Sequence, residues 1–305
     1  MFRKFIATLF LLVYGAPGLT LAADPPAPAA AAPAHTTAPA KSAAPVHATA
    51  ARAAASKLTP ANMSAAAIVE RNIAARGGEG ALRSLQTLSL SGKMDAGGNN
   101  QRYFKAPGMP PPPPNPDSAA QVQLPFTLEM KRGHKSRLEL QFNGQTAVQV
   151  YDGTQGWKVR PFLNRHQAEP YSADETKIAA DQPDLDGLLV DYAARGTRID
   201  VEGMEPVEGK PAYRLKLTLK DGRVVHDWVD AQSFLEIRVE GVSRRLDGRM
   251  HAVEVYMRDY RSVSGLQIPY LIETTLQGVT RTERMIIEKA AVNPHLDDAR
   301  FANPT

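Results

Sequence analysis

Five histidines in the body of the chain are the residues best suited to acid, base or metal chemistry. Zinc sites and catalytic pairs need such residues at set spacings, but these fall in separate predicted elements: His134, His166, His226, His251 and His295. There is no cysteine, and no nucleophile elbow, phosphate loop or dinucleotide fingerprint occurs with its required spacing. The sequence therefore predicts a protein that is not an enzyme and that holds no metal and no cofactor.

A second group of chemically capable residues is the aspartate cluster Asp181, Asp184, Asp186 and Asp191. A calcium loop needs oxygen ligands at alternating positions closed by a Glu, and Pro183 and the leucines that follow interrupt that pattern. The spacing of the apolar residues predicts instead a helix over 178–194 that ends at Gly196, with the aspartates on its solvated face. The apolar residues of this predicted helix are Leu185, Leu188, Leu189 and Tyr192.

The clearest structural pattern is a hairpin in residues 212–240. Apolar residues at every second position predict a strand with one covered face: Tyr213, Leu215, Leu217 and Leu219. Asp221 and Gly222 predict a two-residue type I′ turn. Pairing outward from that turn sets Leu219 opposite Val224, Leu217 opposite His226, Leu215 opposite Trp228 and Lys216 opposite Asp227.

The apolar face of this hairpin supplies the candidate binding residues. Few helices are predicted for so wide a sheet, so we expect a cavity suited to acyl chains. The candidate ligand-binding residues are Leu215, Leu217, Trp228, Leu235 and Ile237. The alternative is an ordinary core in which these side chains pack under the helices. His226, beside Trp228, is interpreted as a partly desolvated or a rim histidine.

The remaining periodicity indicates an antiparallel α+β domain. Ser64 is a predicted N-cap of a helix that ends at Gly77 and Gly78, and a second helical turn precedes a strand at Leu88. Successive strand and turn signals give roughly ten strands and two or three helices. No alternation of strand and helix is present to build parallel units.

The N-terminus predicts export. Arg3 and Lys4 precede an apolar run from Phe5 to Tyr14, which is typical of a signal peptide over residues 1–23, with an uncleaved anchor as the alternative. Residues 24–60 are rich in Ala and Pro and predict a disordered linker, followed by a domain over 61–305. Removing the two basic residues lowers the net charge from +4 to +2, which argues against nucleic acid as a partner. The proline-rich stretch 106–117 predicts a loop between strands or a polyproline ligand.

Several stretches resemble the outer-membrane lipoprotein-sorting proteins of the LolA/LolB-like superfamily. They are ARGGEGALRSLQTLSLSG, YDGTQGW, KLTLKDGRVVHDWVD with FLEIRVEG, GLQIPY and DDARFANP. The resemblance implies a large antiparallel sheet of about 10–11 strands that forms an unclosed half-barrel, covered on its concave face by two or three helices. It also implies a periplasmic protein that binds lipid or the acyl chains of lipoproteins.

Two functions follow as hypotheses. The first is a periplasmic, non-enzymatic carrier or binding protein for lipid or acylated ligands, expected to be a monomer, with an envelope membrane protein as a further candidate partner. The second is a regulatory or scaffold module of the same fold that senses envelope lipids or mislocalised lipoproteins through a protein partner.

Overall fold

The computed structural model describes residues 63–95, 123–246, 249–278 and 282–304. The predicted signal peptide, the linker and the proline-rich stretch 106–117 lie outside the described residues. Among the described residues, the first helix is α1 (Ala65–Ala75). It begins where the Ser64 hydroxyl accepts a hydrogen bond from the Ala67 amide. Gly77, just past the helix, has a φ of 122°. The predicted cap and stop of this helix are both confirmed.

Two short helices follow, α2 (Glu79–Ser84) and α3 (Ala173–Ala180). A capping box starts α3, because the Ser172 hydroxyl accepts from the Glu175 amide while the Glu175 carboxylate accepts from the Ser172 amide. The strands are β1 (Thr87–Asp95), β2 (Gln123–Lys131), β3 (Lys135–Phe142), β4 (Gln145–Tyr151), β5 (Gly156–Arg160), β6 (Arg165–Pro170), β7 (Arg198–Val207), β8 (Lys210–Thr218), β9 (Val224–Asp230), β10 (Glu236–Glu240), β11 (Arg244–Leu246), β12 (Arg249–His251), β13 (Val253–Val263), β14 (Leu266–Leu276) and β15 (Glu283–Val292). Short 3-10 helices cover Pro161–Leu163 and Asp298–Phe301.

Thirteen of these strands form one open antiparallel sheet in the order β6-β5-β4-β3-β2-β1-β15-β14-β13-β10-β9-β8-β7, and β11 and β12 form a separate hairpin. The pairing of β1 with β15 joins the two ends of the domain in the middle of the sheet. The edges, β6 and β7, do not pair with each other, so the sheet is unclosed. The predicted α+β half-barrel is confirmed, with more strands in the described part of the chain than the predicted 10–11.

All three helices lie on the concave face. Leu82 of α2 and Leu85, the residue after this helix, join the core cluster that contains Leu128 and Leu138 of the sheet. The apolar residues of α1 pack against β7, β8 and β9. The third helix is held by Lys158 of β5, whose Nζ lies 2.6 Å from a carboxylate oxygen of Glu175. The opposite face carries the last 3-10 helix, where Phe301 packs against Val150.

The predicted helix over 178–194 is wrong. Helix α3 ends at Ala180, and residues 181–197, which we name the crossing segment, form successive turns. This segment connects the two halves of the sheet that end at the edge strands β6 and β7, so its path lies over the concave face. Its apolar residues are buried because they fill that face, and a regular helical spacing is not needed for this.

The predicted register of the β8–β9 hairpin is also wrong, by one residue. Leu217 lies opposite Val225, Lys216 opposite His226 and Leu215 opposite Asp227. The turn has three residues, 220–222, because the Leu219 amide donates to the Arg223 carbonyl and the Gly222 amide donates back to the Leu219 carbonyl. Gly222 adopts a φ of 82° at the last turn position, the geometry of a type I turn with a bulge.

Candidate functional site

An apolar surface lines the concave face across both halves of the sheet. In the central strands it includes buried side chains that are 0–3% exposed: Leu88, Leu90, Leu128, Leu138, Val255, Met257, Ile268, Ile272, Met285 and Ile287. These side chains form one cluster with Leu185 and Val190 of the crossing segment and with α2. The surface is therefore continuous over β1 to β3 and β13 to β15.

Helix α1 covers the other half of this face. Ile68 and Val69 of the helix pack with Leu215 and Leu217 of β8 and with Leu189 of the crossing segment. Leu215 and Leu217 are both 0% exposed. Two of the five candidate residues thus lie on the concave face, and a ligand reaches them only when α1 or the crossing segment moves.

The other three candidates are not on that surface. The register sets Trp228 opposite Arg214, on the convex face, where it packs with Val207, Ala212 and Ile237. Leu235 lies in the turn between β9 and β10 and is half-buried. The expectation that all five residues line one wall is therefore wrong. The three-residue turn puts Trp228 on the opposite face from the predicted one, Ile237 packs with it there, and Leu235 lies outside the strands.

Trp228 is enclosed by charged side chains. The Arg238 guanidinium lies 3.7 Å from the centre of the indole ring, and that of Arg214 lies 5.5 Å from it. The indole Nε1 donates to the Glu205 carboxylate, which also accepts from Arg238. These contacts leave Trp228 6% exposed, so cation–π and hydrogen-bond contacts account for its burial without a ligand.

His226 belongs to the same convex surface. Its Nδ1 lies 2.7 Å from Glu240 Oε2, and its Nε2 lies 3.4 Å from Glu202 Oε2. The ring thereby links β9 to the neighbouring strand β10 and to the edge strand β7. The predicted placement of His226 on the apolar face of the hairpin is therefore wrong, and its partners on the convex face are two carboxylates.

A buried carboxylate holds the crossing segment in place. Asp186 is 4% exposed, and its two oxygens accept from Arg195 Nη2 at 2.9 Å and from Arg132 Nη1 at 3.2 Å. Burial alone would raise the pKa of the Asp186 carboxyl, but the hydrogen bonds and charges of the two arginines lower it below its ordinary value. The predicted solvated helix face is thus wrong for Asp186, which is an internal anchor.

Further contacts fasten the same segment to the helices. Arg76, at the end of α1, donates from Nη2 to the Asp186 carbonyl at 3.1 Å. Arg132 also donates to the carbonyls of Leu82 and Leu85, and the Gly133 amide donates to Asp184 Oδ2. The sequence signalled the aspartates but not these arginine partners, since Arg76 and Arg132 are distant in the chain from the segment that they hold.

The described residues contain neither a metal-binding group nor a membrane-spanning helix. No group of three or more His, Asp or Glu side chains among them is arranged to hold a metal ion. None of the described helices is both long enough and apolar enough to cross a membrane. What the described residues do provide is an apolar concave face, covered by helices and by one anchored segment.

No protein-family model matches the sequence, and no curated protein matches it. Solved structures do share its architecture. A LolA superfamily protein from Nitrosomonas europaea has a TM-score of 0.50 and 13% identity, over 79% of this chain and 98% of that one. A DUF1329 family protein from Desulfovibrio piger also has a TM-score of 0.50 and 13% identity, over 78% of this chain and 96% of that one.

The fold defines the class: an open antiparallel half-barrel with helices on its concave face. More specifically, it is the fold of the LolA superfamily protein, which confirms the fold that the sequence resemblance implies. At 13% identity this likeness establishes the fold alone.

Proposed function

We propose that this protein is a non-enzymatic carrier of lipids or of acylated ligands, including the acyl chains of lipoproteins, in the periplasm. The observation that carries the proposal is the continuous apolar lining of the concave face beneath α1, α2 and the crossing segment. An acyl chain is a linear apolar ligand, and the Leu, Ile, Val and Met side chains of this face offer it apolar contacts along its length.

The cover has the properties that such a carrier needs. In the described structure, Ile68 of α1 and Leu185, Leu189 and Val190 of the crossing segment occupy the face. These side chains have the same chemistry as an acyl chain, so the exchange of one for the other replaces apolar contacts by apolar contacts. The periplasmic location rests on the predicted signal peptide over residues 1–23.

Bound ligand is the direct test. Native mass spectrometry of the protein purified from the periplasm of its own cells should show a lipid or acylated adduct, and delipidated protein should bind a fluorescent fatty acyl probe. An unlabelled fatty acid should compete for that probe, whereas a short dicarboxylate should not. A chain that is consistently empty and that also fails to bind the probe would overturn the proposal.

A second candidate function is a sensing module that acts through a protein partner. The convex surface around Trp228 favours it, since Arg214, Arg238 and Glu205 form a charged patch there. Crosslinking in intact cells separates the two functions. Capture of a regulator or an assembly factor supports the sensor, and capture of lipoproteins alone supports the carrier.

A further inference from the structure

A buried arginine lies where α1 meets the crossing segment. Arg76 follows the last residue of α1 and is 4% exposed. Its carbonyl accepts from the Gln267 amide of β14 at 3.1 Å, and its Nη2 donates to the Asp186 carbonyl at 3.1 Å. The backbone of Arg76 is therefore fixed against the sheet, while its guanidinium contacts the segment that covers the concave face.

The guanidinium of Arg76 is only partly satisfied. Its Nη1 is buried and has no hydrogen-bond partner among the described residues. In that part of the chain its side chain bonds to a neutral carbonyl and forms no ion pair with a carboxylate. A guanidinium stays ionised in proteins, and a buried charge is costly unless a counterion accompanies it. The arrangement therefore favours an anionic ligand.

Two further arginines reach the same residue of the crossing segment. Arg132 and Arg195 share the Asp186 carboxylate. Their other side-chain hydrogen bonds among the described residues go to the carbonyls of Leu82, Leu85 and Gly187. Three guanidiniums thus contact Asp186, one through its carbonyl and two through its carboxylate.

The other aspartates of the crossing segment do not balance these arginines. They have partners elsewhere: Lys177 and Arg223 for Asp181, the Gly133 and Leu185 amides for Asp184, and Arg83 for Asp191. One carboxylate therefore faces three guanidiniums in the described structure. This excess of positive charge lies in a largely buried place, where an anion is bound more strongly than at an exposed surface.

We propose that Arg76, Arg132 and Arg195 form the binding site for an anionic headgroup, a carboxylate or a phosphate, of an acylated ligand. The guanidinium fork matches both groups, since it offers two parallel N–H donors to two oxygens. Asp186 shows that Arg132 and Arg195 bind a carboxylate here, so its side chain is an internal competitor for the site. When the crossing segment moves, the headgroup takes the place of the Asp186 carboxylate and also pairs with Arg76.

The site lies beside the apolar lining of the concave face. Leu185, next to Asp186, belongs to the same core cluster as Leu82 and Leu85, whose carbonyls accept from Arg132. Leu189, three residues further along, packs with the apolar residues of β8. A headgroup on the arginines therefore places its acyl chain on the concave face. The inference rests on the proposed carrier function and narrows the ligand to an acylated anion.

Ligands of equal chain length but different headgroups test the site. Palmitate, hexadecyl phosphate and hexadecanol are each used to displace a fluorescent acyl probe from the delipidated protein. At least one of the two anions should displace the probe at a concentration about ten-fold or more below that of the alcohol, because charge-assisted hydrogen bonds form only with the anions. The more effective anion distinguishes a free fatty acid from a phospholipid as the source of the headgroup.

A pair of matched substitutions locates the selectivity. Arg76→Gln keeps a donor for the Asp186 carbonyl but removes the charge, so the advantage of the anion over hexadecanol should fall several-fold while the affinity for hexadecanol stays the same. Arg71→Gln is the control, since Arg71 is exposed on the same helix and its guanidinium lies over the Phe234 ring. It should leave the ratio unchanged.

Removing the internal competitor gives a second, opposite effect. Asp186→Asn frees the arginines of their carboxylate, so the affinity for the anions should rise several-fold more than the affinity for hexadecanol. Asp259→Asn should change neither. This measurement decides the question if circular dichroism shows that Arg76→Gln has failed to fold.

Three outcomes would overturn the headgroup site. They are equal displacement by the anions and the alcohol, an equal fall in selectivity for Arg76→Gln and Arg71→Gln, and an equal rise in the affinity for anions and alcohol in Asp186→Asn. In each case the acyl ligands still bind, so the carrier function survives. If the unmodified protein binds neither the probe nor any of the three ligands, the carrier function itself is wrong and the headgroup site with it.

Discussion

Arg132 Nη1 lies 3.2 Å from Asp186 Oδ2 and thereby joins the β2–β3 turn to the crossing segment that covers the concave face. The same guanidinium donates to the carbonyls of Leu82 and Leu85 at the end of α2. One side chain therefore connects the sheet, a helix and the cover. The crossing segment is held by its Asp186 carboxylate, and its apolar residues fill the concave face beneath.

Removing this anchor should lower stability. Asp186→Asn keeps the shape but loses the charge, leaving Arg132 and Arg195 without their counterion. We expect a loss of about 2 kcal/mol in the free energy of unfolding at pH 7, less than for a fully buried pair because both arginines reach solvent. Urea denaturation measures it. Asp259→Asn, which changes an exposed pair with Arg261, is the control and should cost less than about 0.5 kcal/mol.

The same carboxylate makes stability depend on pH. Its pKa is lowered by folding from the ordinary value of 3.8, so its contribution is complete above about pH 5 and is lost as the pH falls through the lowered value. The free energy of unfolding of the unaltered protein should decline more steeply below pH 4 than that of Asp186→Asn. Parallel curves for the two proteins in acid would show that Asp186 is not the anchor.

Access to the concave face should also change with this residue. If an acyl chain enters by displacing the crossing segment, Asp186→Asn should raise the association rate of a fluorescent acyl probe several-fold, and Asp259→Asn should not. Stopped-flow fluorescence measures the rate. A rate that is the same in both variants would place the entry route elsewhere on the domain.

Gly77 is required where α1 meets the β13–β14 turn. Its φ is 122°, and a Cβ at this position would lie 2.3 Å from the Gly265 carbonyl oxygen. Gly77→Ala should therefore cost about 2 kcal/mol or more. Gly80, in the first turn of α2, has no atom within 4 Å of such a Cβ, and Gly80→Ala should raise stability by about 0.5 kcal/mol. Thermal unfolding of both variants distinguishes a local clash from a general intolerance of this region.

The two faces of β8 should respond differently to substitution. Leu217 is 0% exposed under α1, so Leu217→Asp should cost about 4 kcal/mol or prevent folding, because an unpaired carboxylate would be buried there. Lys216 lies on the convex side opposite His226, and Lys216→Ala should cost less than about 1 kcal/mol. Similar small effects on chemical denaturation from both changes would contradict the face assignment.

Patterns among residues close together in the sequence predicted a large part of the fold. The Ser64 cap, the glycines after α1 and the alternation of Leu138 with Leu140 depend on residues within a few positions of one another, so the sequence determined the helix start, the strands and their antiparallel connection. The buried side of β8 was determined in the same way, since Leu215 and Leu217 alternate with Arg214 and Lys216.

Only the tertiary structure decided the face of Trp228. Both faces of β9 carry apolar residues, with Val225 and Val229 on one and Trp228 on the other, so alternation does not select between them. The choice depends on whether the turn has two or three residues, and a single residue exchanges the faces. The arginines that cover Trp228 come from β8 and β10, which the register brings together.

The cover of the concave face was likewise decided by contacts between residues far apart in the chain. Leu185, Leu189 and Val190 have a spacing compatible with a helix, yet residues 181–197 form turns because they lie across the sheet and pack on strands from both its halves. Asp186 is buried because Arg132 and Arg195 neutralise it there. The sequence by itself determined that the protein has a wide apolar face, and the tertiary structure decided which residues line it and which cover it, since burial depends on partners that no local pattern specifies.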